Sequence, residues 1–411
     1  MKRKISIYFC FFLIFINIPN GNLFKIYSYI RQRILIGTIK PEVKNICFPL
    51  QYKIENYISN YRKNISISLL NTNGEFIVDI NGDLARIPAS NQKILSSAFS
   101  LDNLGPYYTL NTYLKLLSEG ELYIDASGDP DFDINQLRKL ISVLKKRNTN
   151  PGQNIPIIIK NENPKQWWPS SWSLSDRKEV YGAPISRYSI ASNTSVKAST
   201  NPVMNFSDEL KTALRNKNIS NKYYIKKVSH AYPVDYIATL NTISSAPLYV
   251  LLNLINSESH NFTSEVVFRH SLDNWSHDFP NRKYSNWLKK QNFNSNKFVL
   301  QDASGLSRDN KVTTFGLSQF LRRMKFNRYS NYYFSSFSIL GVRGSLSKVN
   351  APINLNGNIL AKSGTLNNVK SVSGIILDKN LIFSIIVNNM DNSLKSIIEI
   401  LSMIDKDKSC S

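Results

Sequence analysis

The chain is poor in everything that marks a metal-rich, fibrous or polytopic protein. Three Cys and four His among 411 residues exclude a disulfide-dense scaffold, a four-Cys zinc site and a His-rich metal centre. Sixteen Gly and sixteen Pro exclude collagen and low-complexity linkers. No apolar run reaches the roughly 18 residues of a membrane-spanning helix. Acidic groups are scarce as well: 29 Asp plus Glu face 51 Lys plus Arg, a net charge of +22. These cations are scattered, and the densest groups are Lys145-Lys146-Arg147, Lys289-Lys290 and Arg322-Arg323. No basic stripe of a nucleic-acid binder forms, so a solvated surface facing anionic polymers or lipid headgroups is expected, with no nucleic acid as partner. What is present is core-forming material. Apolar residues at 42% and aromatics at 11% exclude disorder, and the length suits two or three domains.

Lys2-Arg3-Lys4 precedes a predominantly apolar run from Ile5 to Ile18. A cationic start before a short apolar segment is the pattern of a secretory signal, and no small-x-small cleavage site follows it. Residues 5–18 are therefore expected to direct export, as a removed signal or a retained membrane anchor. The rest would lie in the periplasm or on the outer face of the cytoplasmic membrane. Cys10 falls inside the signal, leaving Cys47 and Cys410 either as a bridge or as two free thiols.

Residues 1–44 read as signal or anchor plus spacer. Apolar spacing predicts a helix over Leu50 to Tyr61, then strands Ile65 to Leu70 and Glu75 to Ile80 joined by the turn Asn71-Thr72-Asn73-Gly74. A helix follows from Gln92 to Leu101. Between about 116 and 239 short β-like runs recur, at Leu122 to Ile124, Ile155 to Lys160, Ser189 to Lys197 and Tyr223 to Val228. Helix patterns return at Pro247 to Ile255, Thr263 to His270 and Thr314 to Met324. The end reads as strands Asn358 to Lys362, Ser371 to Leu377 and Leu381 to Asn388, then a helix from Leu394 to Ile404.

Three short motifs carry chemistry. Ser90-Asn91-Gln92-Lys93 sets a hydroxyl and an amine on one helix face, and a Lys of depressed pKa can serve as base to a Ser nucleophile. The spacing alone is weak, since it recurs at Ser142/Lys145, Ser175/Lys178 and Ser345/Lys348. Ser90 stands out because it begins a helix just after a hairpin. Ser259-His260-Asn261 offers a second hydroxyl and an amide. Lys362-Ser363-Gly364-Thr365, at the end of an expected strand, supplies a second amine and a Gly that lets a ligand approach the backbone.

In this order the motifs resemble penicillin-binding proteins and class A β-lactamases. Longer stretches narrow the resemblance: Pro88 to Lys93, Gly128-Asp129-Pro130, Tyr181 to Ser186, Asp302 to Arg308, Gly344-Ser345-Leu346 and Ala361 to Leu366. They are similar to the D-alanyl-D-alanine carboxypeptidase/endopeptidase family of class C low-molecular-mass penicillin-binding proteins (peptidase family S13). The chain departs from the pattern at His260, where an acidic or amide residue is usual, at Ser363 for Thr, and at Ala303 for Gly. The resemblance implies an α+β fold. Residues 45–115 and 240–411 would form a β-lactamase/transpeptidase-like domain, an antiparallel sheet flanked by helices. Residues 116–239 would be a β-rich insertion between the Ser90 and Ser259 motifs.

The same resemblance implies an acyl-enzyme on Ser90, formed on peptidoglycan stem peptides or on β-lactams. Lys93 would be the base, its pKa lowered by burial and by Lys362. Ser259 would relay a proton and Asn261 would hold the substrate amide. Lys362, Ser363 and Thr365 would bind the substrate carboxylate, with Gly364 beside them and an oxyanion hole at the N–H groups of Ser90 and Thr365. No metal or organic cofactor is implied. Packing of the first helix against the last would bring Cys47 to Cys410. A competing reading, a non-catalytic cell-wall binder that keeps the fold, predicts that penicillin leaves Ser90 unmodified.

Overall fold

The computed structural model describes residues 44–409 apart from 149–151, 195–197, 276–280, 292, 294–296 and 392. Residues 5–18, Cys10 and Cys410 lie outside the described residues. Among those described, no helix is long and apolar enough to cross a membrane.

Two sheets organise the chain from Asn45 onward. The first has strand order β2-β1-β11-β10-β9-β8, with every pair antiparallel. Its strands are β1 (Ile65–Leu70), β2 (Phe76–Ile80), β8 (Ser338–Ile339), β9 (Ile359–Leu366), β10 (Val369–Ile376) and β11 (Leu381–Asn388). In β11 the alternation splits the strand between two cores. Phe383, Ile385 and Val387 join one core with Leu50, Ile54, Ile397, Leu401 and Ile404, whereas Ile382 and Ile386 join the other with Phe99, Val266 and Leu317. Both faces are covered, so the strand reads as a continuous apolar run in place of an alternating one. Helices Phe48–Tyr57 and Ser393–Lys406 share the first of these cores. Helices Gln92–Leu104, Asn261–Leu272 and Thr314–Lys325 share the second.

The second sheet has order β6-β5-β4-β3-β7. Its strands are β3 (Asn111–Leu117), β4 (Leu122–Asp125), β5 (Ile155–Lys160), β6 (Tyr223–Val228) and β7 (Tyr236–Ser244). β4, β5 and β6 run parallel, and each crossover carries a helix, Ile134–Leu140 and then Pro202–Asn216. Leu137, Leu140, Phe206 and Leu210 bury these helices against Leu114, Ile124 and Ile157.

Two sequence expectations need correction. Of the run expected from Ser189 to Lys197, residues 195–197 lie outside the described ones and residues 189–194 form no strand: Ala191, Ser192 and Asn193 all have positive φ, at 46, 57 and 59°. Side chains hold this turn, Ser192 donating to Pro130 O and Asn193 to Pro184 O, both at 2.8 Å. The strand expected to stop at Lys362 continues through Leu366, because β10 pairs with it as far as Leu366↔Val369.

Candidate active site

Ser90 sits in the short turn Ala89–Asn91 that leads into helix Gln92–Leu104. Strand β10 clamps this turn: Ser371 Oγ donates to Pro88 O at 2.6 Å and Asn91 Nδ2 donates to Ser373 Oγ at 2.6 Å. Two glycines admit the neighbouring chains. A Cβ on Gly305, whose φ is +83°, would lie 1.9 Å from Ala89 O. One on Gly364 would lie 2.3 Å from Ser371 Oγ and 2.9 Å from Ser90 N. Gly364→Ala is therefore expected to lower stability by about 1–3 kcal/mol, as overpacking does. Thermal unfolding checks this, and an unchanged Tm would mean that β9 yields.

One helical turn beyond Ser90, Lys93 is fully buried. Its Nζ donates to Ser90 Oγ at 3.1 Å, Asn261 Oδ1 at 2.6 Å and Ser304 O at 2.6 Å. Burial lowers its pKa to about 7, against the upward pull of Asp302 and Glu265. The expected cause was partly different: the charge effects on Lys93 come from these carboxylates, and Lys362 is not among them. Lys362 is itself fully buried and held well below the ordinary lysine range, first by desolvation and then by Lys93. Its Nζ donates to Ser259 Oγ at 3.0 Å and to Ser363 O at 2.7 Å.

Ser259 lies between helices Leu248–Asn256 and Asn261–Leu272 with φ at 63°, a left-handed conformation that turns its hydroxyl toward Lys362. Asn261 begins the second helix, accepts from Lys93 and donates through Nδ2 to Tyr181 O at 3.0 Å. The unusual His260 is pushed down to about 4 by burial and by Lys93, so it stays neutral at physiological pH. Its Nδ1 meets Thr263 Oγ1 at 2.7 Å. A neutral, hydrogen-bonded ring is thus compatible with the amide expected there.

On β9, Ser363 Oγ lies 2.6 Å from Ser345 Oγ, and Thr365 Oγ1 accepts from Lys370 Nζ at 2.9 Å. β8 pairs only with Leu360 and Ala361, so among the described residues no strand borders 362–366 on that side. The result is a bare strand margin beside a paired hydroxyl and amine, with a second hydroxyl–amine pair next to it. Such a constellation can activate a serine against an acyl group presented as an extended peptide.

The structure joins Ser90, Lys93 and Asn261 in one hydrogen-bonded group and Ser259 and Lys362 in a second, with Lys93 near enough to Lys362 to lower its pKa and Gly364 against Ser90 N. Cys47 is disulfide-bonded and its Sγ is 3.8 Å from Ser409 Oγ; Cys410 lies outside the described residues. Sequence reasoning gave no role to the Ser304 carbonyl, Ser345, Lys370 or the Tyr181 carbonyl. The stretches holding Ser304, Ser345 and Tyr181 were quoted for the resemblance, which was the available signal. Among the described residues no group of three or more His, Cys, Asp or Glu could hold a metal ion.

Comparison with known proteins bears on the fold and the family. Penicillin binding protein 4 of Haemophilus influenzae superposes with a TM-score of 0.71 at 18% identity, over 86% of this chain and 97% of that one. A predatory peptidoglycan endopeptidase of Bdellovibrio bacteriovorus gives 0.51 at 17% identity, over 82% and 90%. These likenesses show the fold. A curated relative, penicillin-sensitive carboxypeptidase A of Dictyostelium discoideum, is 34% identical over 123 residues, 26% of this chain; the chain spans only 22% of that relative's length. The profile of the D-Ala-D-Ala carboxypeptidase 3 (S13) family matches residues 53–205 and 192–405. With nearly the whole described chain matched, the protein belongs to the D-Ala-D-Ala carboxypeptidase 3 (S13) family.

Proposed function

We propose that this chain is an exported, penicillin-binding serine carboxypeptidase. It would release the terminal D-Ala of peptidoglycan stem peptides through an acyl-enzyme on Ser90. Cleavage of D,D-crosslinks is the same chemistry on a larger leaving group. The carrying observation is the 3.1 Å contact between Ser90 Oγ and a buried amine whose pKa lies near 7.

Ser90 Oγ attacks the penultimate D-Ala carbonyl as its proton passes to Lys93 Nζ. The oxyanion forms beside the N–H groups of Ser90 and Thr365, each donor being worth about 2.7–4 kcal/mol in such sites. Ser259, bonded to Lys362, passes a proton to the departing amine as the C–N bond breaks, and the proton that Lys93 took from Ser90 replaces it. Water then adds to the ester and returns Ser90 to its hydroxyl form. The substrate carboxylate would settle among Ser363, Thr365 and Lys362. Its negative charge there favours the ammonium form of Lys362. A β-lactam ring presents the same acyl group and leaves a long-lived adduct on Ser90.

The division into a catalytic part, 45–115 with 240–411, and an insertion, 116–239, belongs to the same reading. It is supported by the second sheet, whose strands run from Asn111 to Ser244 and so reach past both of those bounds. So does the pairing of Cys47 with Cys410, supported by the position of Ser409. Non-reducing peptide mapping is expected to recover the two cysteines in one crosslinked fragment, and separate thiol peptides would refute the bridge.

The test of function is product analysis. Purified chain incubated with pentapeptide and with crosslinked muropeptides should release D-Ala or monomers, and labelled penicillin should mark the peptide holding Ser90. No product and no label would leave the cell-wall-binder reading in its place.

A further inference from the structure

Behind Lys93 stands a buried carboxylate that none of the steps above employs. Glu265, on helix Asn261–Leu272, is fully buried. Its Oε1 accepts the backbone N–H groups of Ala303 at 2.9 Å and Ser304 at 2.8 Å. Among the described residues its Oε2 has no hydrogen-bond partner. The two residues it grips turn their carbonyls onto the environment of the nucleophile. Ser304 O takes Lys93 Nζ at 2.6 Å, and Ala303 O takes Ser96 Oγ at 2.6 Å and Ser264 Oγ at 3.0 Å. The neighbouring Asp302 is bonded differently. It accepts from Gly305 N, Ser307 N, Asn310 Nδ2 and Trp172 Nε1, each at 2.7 Å, which fixes the loop itself.

We propose that Glu265 is a positioning residue for acylation: by holding the Ala303 and Ser304 amides it aims the Ser304 carbonyl at Lys93, and its charge state governs how readily that amine gives up its proton. The proposal rests on Lys93 being the base. Lys93 is faced by Lys362 from β9, His260 from the turn before the helix, Asp302 from the loop and Glu265 from the helix. Arg269, one turn further along, acts on Glu265. Burial raises Glu265 to about 7, with Asp302 adding to the rise and Arg269 opposing it. Glu265 and Lys93 therefore change charge over the same pH range. An ionised Glu265 raises the pH at which Lys93 loses its proton, and a neutral side chain in its place lowers it.

Gln at 265 keeps an oxygen for the two amides and never carries charge. In full-length chain labelled with ¹³C at the lysine ε-carbons, the Lys93 signal is the one that disappears in Lys93→Arg. In Glu265→Gln its titration midpoint is expected to move to lower pH by about one unit. A midpoint unchanged from wild type would overturn the proposal. Glu265→Ala frees both amides, so acylation by labelled penicillin should slow by about 10- to 100-fold, with reversible binding unchanged; a rate within twofold of wild type would also overturn it. If the Ala variant fails to fold, the Gln midpoint decides alone. The NMR titration reads Lys93 whether or not penicillin reacts. A wild type that takes no label would therefore indict the assigned function, and an unmoved titration would indict Glu265.

Discussion

Ser90→Ala is expected to abolish both penicillin labelling and D-Ala release, a loss of roughly 10⁴- to 10⁶-fold in turnover. The hydroxyl is the only part of the side chain removed. The turn that carries it keeps its anchors, since Ser371 grips Pro88 and Asn91 reaches Ser373 without using the Ser90 side chain. Folding should therefore be preserved and reversible substrate binding retained, which thermal unfolding and equilibrium binding of a stem pentapeptide would check. Label appearing elsewhere on the chain, or D-Ala release at a wild-type rate, would remove Ser90 from the mechanism.

Lys93 carries the second large effect, and pH gives it a signature. A lysine at the ordinary 10.5 would be neutral in only about three molecules in ten thousand at pH 7, too few to serve as base. With the pKa lowered to about 7, half the molecules hold a free amine there. The sign follows. The competent form lacks the proton, so acylation rises with pH through about 7, levels above it and falls to about a tenth one unit below. His260, pushed down to about 4, does not titrate in that window and cannot supply the limb. Lys93→Met keeps an unbranched side chain of similar length and removes the base. Acylation should fall by about 10²- to 10⁴-fold, and the remaining rate should lose its rise near neutral pH. Stopped-flow acylation by a chromogenic β-lactam between pH 5 and 9 would read both, and a limb surviving in the variant would assign it to another group.

Much of this site could be read from the chain because its chemistry rests on short local patterns. Ser90 and Lys93 share a helix face, and Lys362 to Thr365 lie consecutively on one strand, so spacing alone brings each set together. β1, β5, β6 and β11 are recognised at their observed ends, since each is a short run rich in β-branched or aromatic residues bounded by turn residues. β3 and β7 were missed for a related reason. Facing water in part, Asn111–Leu117 and Tyr236–Ser244 mix Asn, Thr, Lys and Tyr with few consecutive apolar residues. Helix Pro202–Asn216 escaped too, although Val203, Phe206, Leu210 and Ala213 recur at helical spacing and are buried. The contribution of Ser304 was invisible in principle: it acts through a backbone carbonyl, which every residue possesses. Glu265 was equally hidden, since one acidic residue inside a helix looks like surface until the fold encloses it.

The bare margin of β9 has a second consequence. Unsatisfied strand edges are where protein molecules aggregate, by pairing edge to edge. Here the exposed length is short, and Lys370 and Arg308 flank it, Arg308 donating to Asn367 O at 2.8 Å. Two copies meeting along this line would press cation against cation. These two cations therefore act as gatekeepers of solubility, so neutralising them should lower the concentration at which the protein precipitates.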